Sequence, residues 1–214
     1  MVTHIAAHSH RSFNPHLLKG KAKLLRPTQI TAGYWEVAQK RKQWMQLGEK
    51  DRHLFLSAHC FPCVLGPKGK HYIVDHHHLG LALLQERIED VMLHVLADLS
   101  TLSGATFWRV MEHHQWVHPY DDRGVKQHYD AIPKTLKGLQ DDVYRSLAGE
   151  LRHAGGYSKD ITPFSEFLWA DFLRTRIAAS LVLSNFEEAL ADALELAHHK
   201  AAHYLPGWSG KIVR

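Results

Sequence analysis

The chain has 214 residues, 45% of them hydrophobic and 22% charged, with a formal net charge of +4 and nineteen histidines. That length and composition support one sizeable core and exclude a wholly disordered chain. The apolar stretches, of which 177–183 is typical, fall far short of the ~20 residues that cross a bilayer, and the mild basicity permits nucleic acid as a partner without demanding it.

Residues 1–22 are basic, His-rich and aperiodic, with His4, His8, His10 and Arg11 but no apolar signal region. A flexible lead-in and a cytoplasmic location are expected. Residues 23–30 read as a short extended segment, and Pro27 favours a sheet edge. Apolar spacing from Tyr34 to Leu47 predicts an amphipathic helix whose outer face carries Lys40, Arg41 and Lys42. A second helix is expected over 49–59. Cys60 and Cys63 form a single C-x-x-C pair at the entry to a strand, which suits structural thiols better than half a zinc site or a redox motif.

Residues 63–65 and 71–74, separated by the turn-rich Gly66-Pro67-Lys68-Gly69-Lys70, read as a β-hairpin. The chain then passes through Asp75-His76-His77-His78 into a helix over 79–87, with Asp75 placed to cap it. A third strand is expected over 91–96. Beyond residue 100 the pattern is helical: 103–114 capped by Ser103, then 141–153 stopped by Gly155-Gly156. A further helix starts at Thr162-Pro163, and a last one spans 185–203 before Pro206-Gly207. The stripe Phe164, Phe167, Leu168, Trp169 and Phe172 reads as core. Strands before residue 100 and helices after it argue for an α+β fold, with a core over 23–100 and a helical region over 101–214 packed on it.

The strand-to-helix junction concentrates the chemistry. Unpaired first-turn N–H groups and the helix dipole favour an anion there. Asp75, His76, His77 and His78 offer acid–base groups near neutral pH, and Asp75, His77 and His78 offer ligands for a divalent metal such as Mg, Mn or Zn. Neighbouring residues do not share a helix face, so at most two of the three imidazoles act together. The competing reading makes Asp75 a plain cap and the histidines solvated surface. On the last helix His199 and His203, near His198, are spaced i, i+4 and could clip a metal, but a solvated face explains them better.

The stretch from Ile73 through Asp75-His76-His77-His78 to Ala82 resembles the signature box of the ParB/sulfiredoxin-like proteins. The wider pattern is similar to the ParB-like nuclease family. The matching pieces are Leu25 to Thr31, the Asp-His-His-His box, Tyr144 to Gly149, Gly155 to Lys159, Phe167 to Phe172 and Leu205 to Trp208. The resemblance implies a small mixed sheet with helices and a nucleotide or phosphodiester ligand. The box arginine of that family is absent here: His78 or Leu79 stands in its place, depending on register. Neither makes the two-pronged, permanently charged contact of a guanidinium. Arg145 and Lys159 are candidates to replace it, with Ser146 and Arg26 as further phosphate contacts. The expectation is an enzyme acting on a nucleotide or phosphodiester, or a binding module without turnover; structural metal binding by the histidines is a third possibility.

Overall fold

The computed structural model describes residues 16–210. A four-stranded mixed sheet holds β1 (His16–Lys21), β3 (Phe61–Gly66), β4 (Lys70–Ile73) and β5 (Asp90–Asp98) in the order β1-β5-β3-β4. β3 and β4 form the expected antiparallel hairpin, with Cys63 opposite Ile73. β3 runs parallel to β5, and β1 antiparallel to it. A second, two-stranded sheet pairs β2 (Thr31–Ala32) with β6 (Gln140–Asp141). Eight α-helices complete the described residues, and the α+β class is borne out.

β1 corrects one expectation. Most of the lead-in over 1–22 lies outside the described residues, but 16–21 form an edge strand against β5. Leu17 and Leu18 are exposed on it, which is why no buried alternation announced a strand. The expected extended segment begins instead with a short 3-10 turn at Ala22–Leu24. It then runs beside β4, where Arg26 accepts the N–H of Ile73 and donates to His71.

Helices α1 (Tyr34–Gln46), α2 (Glu49–Ala58) and α3 (His77–Gln85) cover one face of the sheet. Phe61, Ile73, Leu83 and Leu93 are fully buried between these layers. Removing each such side chain from water stabilises the fold by about 1.5–3 kcal/mol. α4 (Gly104–His113) covers the other face through Phe107 and Met111, and Ser103 caps it as expected by accepting the N–H of Thr106.

The remaining helices are α5 (Val143–His153), α6 (Ser165–Arg174), α7 (Ala179–Ser184) and α8 (Phe186–His198). They share a cluster around Trp169, Leu147 and Leu151. α5 starts at Val143 because the buried Asp142 accepts the N–H groups of Tyr144 and Arg145. Within the expected core stripe Leu168 points outward, and α6 begins after Phe164 rather than at Pro163. The final helix stops at His198. His199 is extended and its Nδ1 accepts the N–H of Ala201, so His199 and His203 do not share a helical face. Among the described residues no helix is long and apolar enough to cross a membrane. Cys63 is a buried free thiol that burial pushes up to about 12, and Cys60 is also free.

Candidate functional site

β4 ends at Ile73, and the chain turns through Asp75 and His76 into α3. His76 adopts the left-handed conformation, with φ 63°, and is the N-cap. Asp75 is exposed, and its Oδ1 accepts the N–H of His76 at 2.6 Å. The expected capping role of Asp75 is therefore replaced by a one-residue local turn, and the His76 side chain at the N-cap does not cap the helix. α3 opens two residues earlier than expected, so His77 and His78 belong to its first turn.

Both of those imidazoles are buried. His77 Nε2 accepts the backbone N–H of Thr28 at 3.1 Å, while the Thr28 hydroxyl donates to the Ile73 carbonyl at 2.9 Å. His78 Nε2 accepts the N–H of Gly33 at 2.8 Å, and its Nδ1 lies 3.2 Å from Glu36 Oε2. A neutral imidazole with an accepting Nε2 carries its proton on Nδ1, so His78 donates to Glu36. Burial pushes His77 down to about 3, with neighbouring histidines and Arg145 adding to it. His78 is also lowered, because burial outweighs the pull of Glu36.

These two rings therefore pin the segment 28–33 against α3 as neutral hydrogen-bonding groups. Their Nε2 lone pairs are used in accepting these two backbone N–H groups. Among the described residues no group of three or more His, Cys, Asp or Glu side chains is placed to hold a metal ion. His76 remains half-buried on the wall of a cleft of about 400 Å³.

The opposite wall of that cleft comes from α5, α6 and the connection between them. Arg145 is 4% exposed. Its Nη2 donates to Glu166 Oε2 at 2.8 Å, and Arg152 Nη1 reaches the other oxygen, Glu166 Oε1, at 2.8 Å. Burial alone would raise the Glu166 carboxyl, but the two guanidinium groups outweigh it and hold it at about 2. The Arg145 guanidinium lies 4.3 Å over the Phe167 ring.

The Nε and Nη1 of Arg145 are buried with no partner among the described residues. Leaving buried donors unpaired costs roughly 1–3 kcal/mol each. Lys40 also lines the cleft and is paired with Glu36 at 3.3 Å; Lys159 is exposed at the rim, in no ion pair among the described residues. Burial lowers His76, with Lys40 and Lys159 among the lesser contributors.

Of the residues singled out from sequence, Asp75, His76, His77, His78, Arg145 and Lys159 meet at one cleft. Arg26 and Ser146 do not. The Arg26 guanidinium sits 5.9 Å over the Tyr72 ring. The buried Ser146 hydroxyl accepts the Trp35 N–H at 3.2 Å and ties α5 to α1. Lys40-Arg41-Lys42 is not a free basic face, since Arg41 is engaged by Glu86 at 2.6 Å. Sequence reasoning missed Glu36, Arg152 and Glu166. The i, i+4 spacing of Glu36 and Lys40 was the available signal for the first; nothing local marks the other two.

Residues 19–175 match the family described as "Putative ParB-like nuclease". The crystal structure of protein Atu1540 from Agrobacterium tumefaciens is 46% identical to this chain. The match covers 92% of this chain and 98% of that one, with a TM-score of 0.87. No curated protein shows significant similarity to the chain.

Proposed function

The chain belongs to the ParB-like nuclease family, and from that premise we propose that it acts on a nucleotide or phosphodiester whose phosphate binds in the cleft between α3 and α6. The observation that carries this reading is Arg145: a buried guanidinium at the cleft with two N–H-bearing nitrogens that have no partner among the described residues. A phosphate oxygen is the ligand that a permanently charged, planar donor fork accommodates best. The first-turn N–H groups of α3, not capped by the His76 side chain, add their dipole on the facing wall. Lys159 at the rim supplies further positive charge. In this reading Arg145, delivered from α5, does the work of the arginine that the box itself lacks.

The division of labour within the box follows from hydrogen bonding. His77 and His78 hold the scaffold and stay neutral. His76, beside the exposed Asp75, is the member left free for proton transfer at neutral pH. The locked state of two of the three imidazoles favours a second reading, in which the same cleft binds a nucleotide without turning it over.

Titration of the purified protein with ATP, CTP, GTP and plasmid DNA, with and without Mg²⁺, Mn²⁺ or Zn²⁺, tests both. Saturable binding that Arg145→Met abolishes supports the phosphate site. Product formation lost in His76→Ala with binding retained supports the enzyme, and binding without product supports the module. Absence of binding to every probe defeats both.

A further inference from the structure

The cleft does not end at Arg145. Gln115, Pro163, Phe164 and Phe167 line it and also line an adjoining groove of about 470 Å³, whose far side is built by Tyr120 and Leu168. The two cavities are joined by a run of flat groups in contact, tilted by 37° between Phe167 and His118. The Arg145 guanidinium lies 4.3 Å over Phe167, the Phe167 and His118 ring centroids are 3.9 Å apart, and those of His118 and Tyr120 are 4.3 Å apart at an interplanar angle of 20°. Burial, helped by Arg145, holds His118 down at about 3, so its ring is neutral at physiological pH.

The groove carries features that packing does not require. Leu168 is 45% exposed on an otherwise buried stretch of α6. Among the described residues five non-glycine residues have positive φ: Lys68, His76, Arg87, Gln115 and Phe164. Two of them, His76 and Phe164, stand at helix starts around these two cavities, whereas Gln115 is the left-handed residue that closes α4, where the N–H groups of Gln115 and Trp116 donate to the carbonyls of Glu112 and Met111. A left-handed conformation is unfavourable for a bulky side chain such as Phe164 and persists where the surroundings enforce it, which is characteristic of ligand sites.

Building on the phosphate reading above, we infer that the groove holds a nucleobase attached to the phosphate bound at Arg145. A flat aromatic and aliphatic wall matches a base face, which stacks on aromatic rings irrespective of sequence. The exposed Gln115 amide, between the two cavities, presents both a donor and an acceptor to a base edge. A bare sugar phosphate or inorganic phosphate has no use for the groove, so the two cavities together select a nucleotide unit. That unit is either a free mononucleotide or one residue of a single strand.

Calorimetric titration of the full chain with ribose 5-phosphate, AMP, CMP and a 5′-phosphorylated dinucleotide tests the inference. The nucleotides are expected to bind about tenfold or more tighter than ribose 5-phosphate, the advantage that stacking one base confers. Tyr120→Ala and Leu168→Glu are expected to remove that advantage while leaving ribose 5-phosphate affinity unchanged. Leu168, being exposed, should melt as the wild type does when replaced. A dinucleotide that exceeds AMP marks a strand as the source; equal affinities mark the mononucleotide. Equal affinity for ribose 5-phosphate and AMP overturns the base groove and leaves the phosphate site standing, as does a preference that survives both variants. If no probe binds, the phosphate site fails, and the groove with it.

Discussion

The Nδ1 of His78 donates to Glu36 across 3.2 Å while its Nε2 accepts the N–H of Gly33, so one neutral ring ties α3 to the start of α1 at two points. Replacing it with an apolar ring of similar size leaves the Gly33 N–H and the Glu36 carboxylate without their buried partner. His78→Phe is expected to lower the unfolding free energy by about 2–3 kcal/mol, the cost of orphaning such groups. Urea denaturation at pH 7 measures it, and a midpoint equal to wild type would show that the two contacts contribute nothing net.

Acid sensitivity follows from the same burial. His77 and His118 both fall to about 3 in the folded protein, whereas a histidine in an unfolded chain titrates near 6.5. Between those values the unfolded chain binds more protons than the native one, so stability rises with pH. The contribution is fully present above about pH 6.5 and is lost progressively as pH falls towards about 3. Glu166, held at about 2, adds a loss of the same sign below its ordinary range near 4.5. Thermal stability is expected to fall steadily from pH 7 to pH 4, and His118→Phe to flatten that slope. A melting temperature constant over this interval would contradict the neutral state of both rings.

Much of this arrangement was readable in the residues. The hairpin, the Ser103 cap and the box at a strand-to-helix junction follow from turn chemistry and capping rules. The inward orientation of His77 and His78 was also signalled, though not by the histidines themselves. From Leu79 to Leu83 every residue of α3 is buried, and a helix apolar on all sides is an interior helix whose first turn goes with it. Left-handed His76 was not readable, because nothing in the Asp-His sequence demands it. The partnership of Arg145, Arg152 and Glu166 was equally hidden, since it brings α5 against α6 and depends on packing rather than on local spacing.

That triad makes an asymmetric prediction. Arg145→Met leaves Glu166 still neutralised by Arg152, whereas Glu166→Gln leaves a 4%-exposed guanidinium without its counter-charge. Removing one partner of a buried pair costs about 3–5 kcal/mol. Glu166→Gln is therefore expected to be the more destabilised of the two. It should also be the variant most stabilised by millimolar phosphate, because an anion then takes the place of the carboxylate and adds binding free energy to the native state alone. Differential scanning fluorimetry with and without phosphate distinguishes the cases. Equal phosphate responses in wild type, Arg145→Met and Glu166→Gln would separate anion binding from Arg145.

Two distant segments meet behind the rim of the cleft, and a single glycine sets how closely. Tyr157 pairs with Trp208, and the Ser158 N–H donates to the Gly207 carbonyl at 2.8 Å, immediately before Lys159. Gly207 has φ 72°, and a Cβ there would lie 2.0 Å from the Ser158 carbonyl oxygen, which is backbone and does not yield as a flexible side chain would. Gly155 has φ 86° but nothing within 4 Å of its would-be Cβ. Gly155→Ala therefore reports left-handed strain alone, about 1–2 kcal/mol, and is expected to leave ligand affinity unchanged. Gly207→Ala adds the clash. It is expected to destabilise by more than that amount and, by displacing 158–160, to weaken nucleotide binding severalfold through Lys159. Chemical denaturation and nucleotide titration on both variants check this. Nucleotide affinity unaltered in Gly207→Ala, despite a measurable stability loss, would remove Lys159 from the phosphate contacts.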